Sequence, residues 1–251
     1  MTRKFGCVRD TFDPRDFTFQ PKFRIFNLPK ITDLRDKMPP VYDQLTLGSC
    51  TSQAIGASLQ FQRMKQGLEG FMPSRLFHYY NERAAEGTTD VDNGAMIRTG
   101  IKVLARQGIC REESWPYEVS HFKAKPEKSC YEEAEKFQSL EYERVNQKEF
   151  DLLSVLADGH PFVLGIKIYE SFMDYEVSAT GTVMMPKPKE RCLGGHAVLA
   201  AGYDRDKQVF ICRNSWGTNW ATAMRGYFTL PFEYVLSPQL ASDMWKITLV
   251  E

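Results

Sequence analysis

The chain has 251 residues, 43% of them apolar and 13% aromatic, with 32 basic and 32 acidic side chains. That is enough apolar material for one large domain or two packed lobes, and too much for a disordered chain. The charge balances and no run of like charges reaches five, so neither a nucleic-acid backbone nor an acidic membrane surface is suggested as partner, and a specific site must carry the function.

In chain order, residues 1–27 come first. They hold Phe5, Phe12, Phe17, Phe19, Phe23 and Phe26 among prolines and Arg-Asp pairs, with neither helical nor strand period. We expect an N-terminal extension laid over the domain as a strap, its aromatic rings seeking apolar surface, or else a short inhibitory segment. Pro39-Pro40 leads to "DQLTLGSCTS", where Gly48 and Ser49 mark a turn and a helix start. From Cys50 onward, Ala54, Ala57, Phe61 and Met64 recur at helical spacing, widened by Ile55 and Leu59, which predicts a largely buried helix with Cys50 in its first turn. A second helix should follow Pro73-Ser74. A third should run from about Ala95 to Gln107 and stop at Gly108, and a fourth should cover residues 147–158. Then the pattern turns strand-like: "PFVLGIKIY", "GTVMM", "HAVLAAGY", "QVFICRN", "GYFTL" and "WKITLV", separated by Gly, Pro and charged turns. Helices followed by strands predict an α+β protein of two unlike lobes.

The longest apolar runs are strand-sized, far short of the about 18 residues that span a bilayer. "MTRKFGCVRD" lacks the features of a signal peptide. Six cysteines, Cys7, Cys50, Cys110, Cys130, Cys192 and Cys212, are sparse for a disulfide scaffold and contain no C-x-x-C pair. We expect a mostly reduced monomer, cytoplasmic or virion-associated. Cys110 and Cys130 flank the "ESWPY" loop and could bridge it or remain free thiols.

A nucleophilic thiol must ionise near neutral pH, and a helix N-terminus favours the thiolate through its unpaired N–H groups and macrodipole. Cys50 occupies such a position, although a cysteine there is more often an inert packed residue. The candidate bases are His78, His121, His160 and His196. His78 lies mid-helix, His121 in a Lys-rich loop and His160 before Pro161, each with an easy structural reading. His196 follows two glycines and opens an apolar strand that would hold its ring. In "RNSWGTNW", Asn214 can orient that imidazole while Trp216 keeps water off the bond. An oxyanion needs donors; the Cys50 N–H and the Gln44 side-chain amide are the candidates.

Three blocks, "PVYDQLTLGSCTS", "GGHAVLAAGYD" and "CRNSWGTNW", resemble those of the papain family of cysteine peptidases, in the family's order Gln, Cys, His, Asn. Two weaker blocks, "LPKITDLRDKMPPV" and "DNGAMIRTGIKVLARQGICREESWPY", extend the resemblance over about residues 28–251, closest in style to microbial and viral members. The resemblance implies an α+β papain-like fold, with a helical lobe at about 45–140, a β-barrel-like lobe at about 141–235, a C-terminal tail at 236–251, and the site between the lobes. It implies a peptide- or protein-cleaving enzyme without cofactor or metal, with Cys50 as nucleophile, His196 as its partner, Asn214 as orienting group and Gln44 as oxyanion donor. Asn93, Gly94, Ala95, Gly195 and Trp216 would border the substrate.

The sequence also departs from the family. The bridging cysteine usual three residues before the nucleophile is Leu47, and its expected partner is Asp92, so that disulfide is absent. Thr51 stands where Trp is usual, Ala95 replaces the second of two cleft glycines, and Gly195 precedes His196 where Asp or Asn is common. Two competing readings are a silent peptide-binding protein of the same fold, and a transpeptidase or amide hydrolase using the same site.

Overall fold

The computed structural model describes residues 3–21 and 28–251. Helix α1 (Cys50–Lys65) is buried from Cys50 through Arg63, and only its last turn reaches solvent. Helix α2 (Arg75–Glu86) begins where the Ser74 hydroxyl accepts the Phe77 N–H at 3.1 Å, and ends at left-handed Gly87. Helix α3 (Ile97–Gln107) stops at Gly108, and its start falls two residues later than expected because Ala95 and Met96 are extended. With the short helix α4 (Lys128–Ala134), these enclose a core of Ile55, Leu59, Phe77, Ile97, Ile101 and Leu104.

The second lobe is built on strands β4 (Ser139–Arg144), β5 (Phe162–Tyr169), β6 (Cys192–Asp204), β7 (Val209–Arg213), β8 (Tyr227–Pro231) and β9 (Ala241–Val250). They pair antiparallel in the order β4-β9-β5-β6-β7-β8, and β2 (Ile31–Asp33) pairs with the far end of β6. Alternation sorts the side chains: Val163, Ala197 and Leu199 join the core under α1, while Phe162, Leu164, Val198 and Ala200 face a second core with Phe210, Phe228 and Phe232. Helices α5 (Glu149–Ala157), α6 (Tyr175–Thr180) and α7 (Phe232–Leu236) cover that second core through Leu152, Val177 and Val235. Residues 236–251 are no appendage, because β9 lies inside the sheet between β4 and β5.

The barrel-like expectation needs correction: among the described residues no pairing joins β4 to β8, and the sheet stays open. Both edges are covered instead, which removes the need for closure. Residues 17–19 run along β4, with reciprocal backbone hydrogen bonds between Arg144 and Phe17 and Phe19, each 2.8 Å. Thr182, in the run read as the strand "GTVMM", only bridges to Thr229 on β8.

Residues 3–21 cross both lobes. Strand β1 (Cys7–Val8) pairs in parallel with β3 (Ala95–Met96). The aromatic argument for this segment fails in part: Phe19 is 3% exposed, but Phe12 and Phe17 are 78% and 76% exposed. Phe23 and Phe26 lie outside the described residues. What holds the segment is mainly polar. Asp10 and Asp16, with side chains 1% and 2% exposed, meet Arg144 at 3.0 and 3.6 Å, and Asp16 also meets Arg98 and Lys102.

Candidate active site

Cys50 is the first residue of α1, where N–H groups have no intrahelical partner and the macrodipole favours an anion. Yet its thiol is completely buried, and burial pushes its pKa up to about 11. The backbone N–H groups of Ala197, Gly6 and Thr51 at the sulfur pull the other way, and the charge of Glu82 adds to the rise. The Ala197 contact brings β6 and the residue next to His196 against the thiol.

His196 is also fully buried. Its Nε2 lies 2.8 Å from Asn214 Oδ1, the same oxygen that accepts the Ser215 N–H at 2.8 Å. An oxygen acceptor at that place puts the ring proton on Nε2 in the neutral form. Nδ1 is buried and has no hydrogen-bond partner among the described residues, so its lone pair is available as a base. Burial lowers the imidazole pKa to about 4, with Asn214 opposing and the charge of Arg3 adding to the fall. The Trp216 ring lies 5.1 Å from the imidazole and is only 2% exposed, so it seals the His196–Asn214 bond from water.

The Gln44 amide nitrogen donates to the Leu47 carbonyl at 2.8 Å and to the Lys4 carbonyl at 3.1 Å. Its oxygen accepts the Ser215 hydroxyl at 2.7 Å. The Asn214-Ser215 dipeptide therefore orients both the imidazole and the amide. Ser215 was not singled out from sequence; its only signal was a hydroxyl in a buried block beside Trp216.

The cleft between Gln44, Cys50 and His196 is filled by the chain's own residues 4–7. A Cβ added to Gly6 would sit 1.8 Å from the Gly48 carbonyl oxygen, and one added to Gly94 would sit 1.8 Å from the Gly6 carbonyl oxygen. Only bare backbone fits there. Ala95 N–H donates to the Gly6 carbonyl at 2.8 Å, and the Cys7 carbonyl packs on Gly195. Phe5 stacks edge-on against His196 at 6.2 Å, and Arg3 reaches Asp43 and the Trp216 carbonyl. Gly94, Ala95, Gly195 and Trp216 thus all border the filled cleft, whereas Asn93 is exposed on the turn at its rim. Beside Cys7 lies a cavity of about 310 Å³ lined by Gly165, Gly195, Leu240 and Ser242.

The departures from the family pattern have local explanations. Thr51 donates to buried Glu82 at 2.7 Å, using space beneath α1 that a larger ring would need. All six cysteines are free thiols, including neighbouring Cys110 and Cys130. Among the described residues no cluster of three or more His, Cys, Asp or Glu could hold a metal, and no helix is long and apolar enough to cross a membrane.

A thiol at a helix N-terminus, an imidazole oriented by an amide oxygen and an amide donor aimed into the same cleft, set between a helical and a sheet lobe, define a cysteine-dependent acyl-transfer enzyme. The model of the papain family of cysteine proteases matches residues 28–235, and the chain belongs to that family. It is 40% identical to an uncharacterised peptidase C1-like protein of Acanthamoeba polyphaga mimivirus, covering 98% of this chain and 87% of that protein. It also resembles the crystal structure of xylellain, a cysteine protease from Xylella fastidiosa, with TM-score 0.92 and 40% identity, covering 100% of this chain and 99% of that one. Cysteine proteinase 1 of Entamoeba histolytica is 26% identical over 82% of this chain and 64% of its own length.

Proposed function

We propose that this cysteine peptidase works through Cys50, His196, Asn214 and Gln44, and that residues 3–8 hold it latent. The observation that carries the reading is the convergence of Gln44, the His196–Asn214 pair and the N-terminus of α1 on one cleft between the lobes. With the cleft open, water and peptide reach the pair. Cys50 passes its proton to His196 Nδ1, and the thiolate attacks a peptide carbonyl. The Cys50 N–H and the Gln44 amide hold the tetrahedral oxyanion, where the Lys4 carbonyl now sits. Imidazolium His196 protonates the leaving amine, and water, deprotonated by the same ring, hydrolyses the thioester.

The latent form follows from the same geometry. The group that residues 3–8 present to the sulfur is the Gly6 N–H, a donor rather than an electrophilic carbonyl, so the occupying chain is no substrate. Burial by this segment also keeps the pair neutral, the thiol near 11 and the imidazole near 4. Ala95 and Gly195 would pair with a substrate backbone as they now pair with Gly6 and Cys7, and Gly94 and Trp216 would flank it, with Asn93 at the rim. We further propose that the enzyme acts as a monomer on peptide or protein substrates.

The test is a peptidyl electrophile that alkylates thiols, incubated with the reduced full-length protein and a Gly6→Ala variant, followed by adduct mapping and cleavage of a peptide library. The expected result is an adduct on Cys50 and hydrolysed peptides. An adduct without hydrolysis favours a silent binder, ligation of fragments favours a transferase, and no adduct on Cys50 in the open variant refutes the reading.

A further inference from the structure

Asp92 stands at one of the two positions where the family resemblance calls for a bridging cysteine, and its carboxylate ties three pieces of the cleft together. The side chain is only 5% exposed. Its Oδ1 accepts the Gly48 N–H at 2.9 Å and the Tyr79 hydroxyl at 2.6 Å. That hydroxyl in turn accepts the Gly94 N–H at 3.1 Å. Oδ2 takes the Lys4 ammonium at 2.7 Å. Gly48 lies two residues before Cys50 and Gly94 lies on the facing wall. These are the two glycines between which Gly6 fits with no room for a Cβ. Burial and the neighbouring Asp92 charge both hold the Tyr79 phenol in its protonated, donating form.

We propose that Asp92 is a positioning residue for the Cys50 site: with Tyr79 it holds the two glycine walls one backbone apart, and its second oxygen docks Lys4 of the covering segment. A charged acceptor shared by two donors is a strong tie, and it needs no oxidant to form. The wall it holds carries the residue two before the nucleophile, so its slack would pass directly to the Cys50 N–H and sulfur. The inference rests on the peptidase reading above.

The two roles fall on different oxygens, so they separate experimentally. Asp92→Asn keeps an acceptor for Gly48 and Tyr79 but faces Lys4 with a neutral amide; Asp92→Ala removes both. The full-length chain carrying Gly6→Ala would serve as the open background, with Asp92→Ala, Asp92→Asn or Tyr79→Phe added. Active sites are titrated with the peptidyl electrophile, and kcat and KM are measured per titrated site on a fluorogenic peptide. Asp92→Ala should lower kcat per site about tenfold or more, as expected for a displaced nucleophile. Tyr79→Phe should lower it by a smaller factor, and Asp92→Asn, which keeps the acceptor but loses the charge, should fall between the background and Asp92→Ala. In the chain with Gly6 intact, Asp92→Asn and Lys4→Ala should both speed labelling of Cys50.

Unchanged kcat per site in Asp92→Ala, with only a smaller titratable fraction, would make Asp92 merely structural and overturn the proposal. So would an Asn variant as impaired as the Ala variant. Should Asp92→Ala fail to fold, Tyr79→Phe decides: an unchanged kcat per site overturns the proposal. Absence of any Cys50 adduct in Gly6→Ala alone overturns the peptidase reading and this inference with it.

Discussion

The front and rear halves of the N-terminal segment lie on the same domain but are held by different physics. Residues 3–8 touch it through backbone and side chains at the cleft: Gly6 between Gly48 and Gly94, Ala95 N–H on the Gly6 carbonyl, Arg3 on Asp43, Phe5 beside His196 and Trp216, and the half-exposed ammonium of Lys4 on Asp92. Residues 10–19 bury charge and a ring: Asp10 and Asp16 with Arg144, the Trp245 indole N–H on Asp10 at 2.8 Å, and Phe19 in the β-lobe core. Leaving costs the front half less, because the groups it uncovers, the Gln44 amide, the Ala95 N–H and the Asp92 carboxylate, line the cleft and meet water once it opens. Leaving is costly for the rear half, because Arg144 and Asp243 would lose buried partners. The segment therefore reads as a gate attached to a permanent anchor.

Predictions that would break this contrast run from large to small. Phe19→Ala should cost about 4 kcal/mol of stability in urea unfolding, since a nearly buried ring leaves the core. Arg144→Ala should cost about 3 kcal/mol, because it takes the paired cation from buried Asp10 and Asp243, while Asp16 keeps Arg98 and Lys102. Gly6→Ala should cost only about 1.4 kcal/mol and speed Cys50 labelling roughly tenfold, since its Cβ has nowhere to go in the closed form and a tenfold gain in the open form is that much lost stability. Lys4→Ala should speed labelling only about threefold, as an ammonium 54% exposed contributes little. Equal unfolding losses from Gly6→Ala and Phe19→Ala would erase the distinction between gate and anchor.

Acid should not open the anchor through Asp10. Burial, with Asp243, raises the Asp10 pKa to about 6, above the usual carboxylate value. A raised carboxyl contributes stability that is present at low pH and lost as pH climbs through its folded value. Lowering the pH from 7 to 5 should therefore relieve the Asp10–Asp243 repulsion, and the Asp10→Asn variant should lose that part of the pH dependence in urea titrations.

The four residues proposed to carry the chemistry stand out in the sequence because few residue types can do such work. A thiol at a helix start, a histidine after glycines, an Asn beside Trp and an upstream Gln leave distinctive spacing in a linear chain. The parts that were not legible act across space. Ser215 matters only because the fold brings Gln44, 171 residues away in sequence, to its hydroxyl. Asp92 read as a missing cysteine because nothing local says that Gly48 and Tyr79 point at it. The phenylalanines of the N-terminal segment misled, since Phe12 and Phe17 are exposed and buried aspartates do much of the anchoring. The long, periodic helices were found, while α4, α6, α7 and β4 were missed as too short to show a period.

The most direct test is the rate of Cys50 labelling by a small thiol reagent as a function of pH, in the parent and in Gly6→Ala. With the cleft filled, the thiol is held near 11, so the parent should label slowly at pH 7 and faster as pH rises toward that value. With Gly6 displaced, hydration and the freed His196 should shift the profile to lower pH and speed labelling at pH 7. Superimposed profiles, or labelling confined to other cysteines in both proteins, would contradict a Cys50–His196 site gated by residues 3–8.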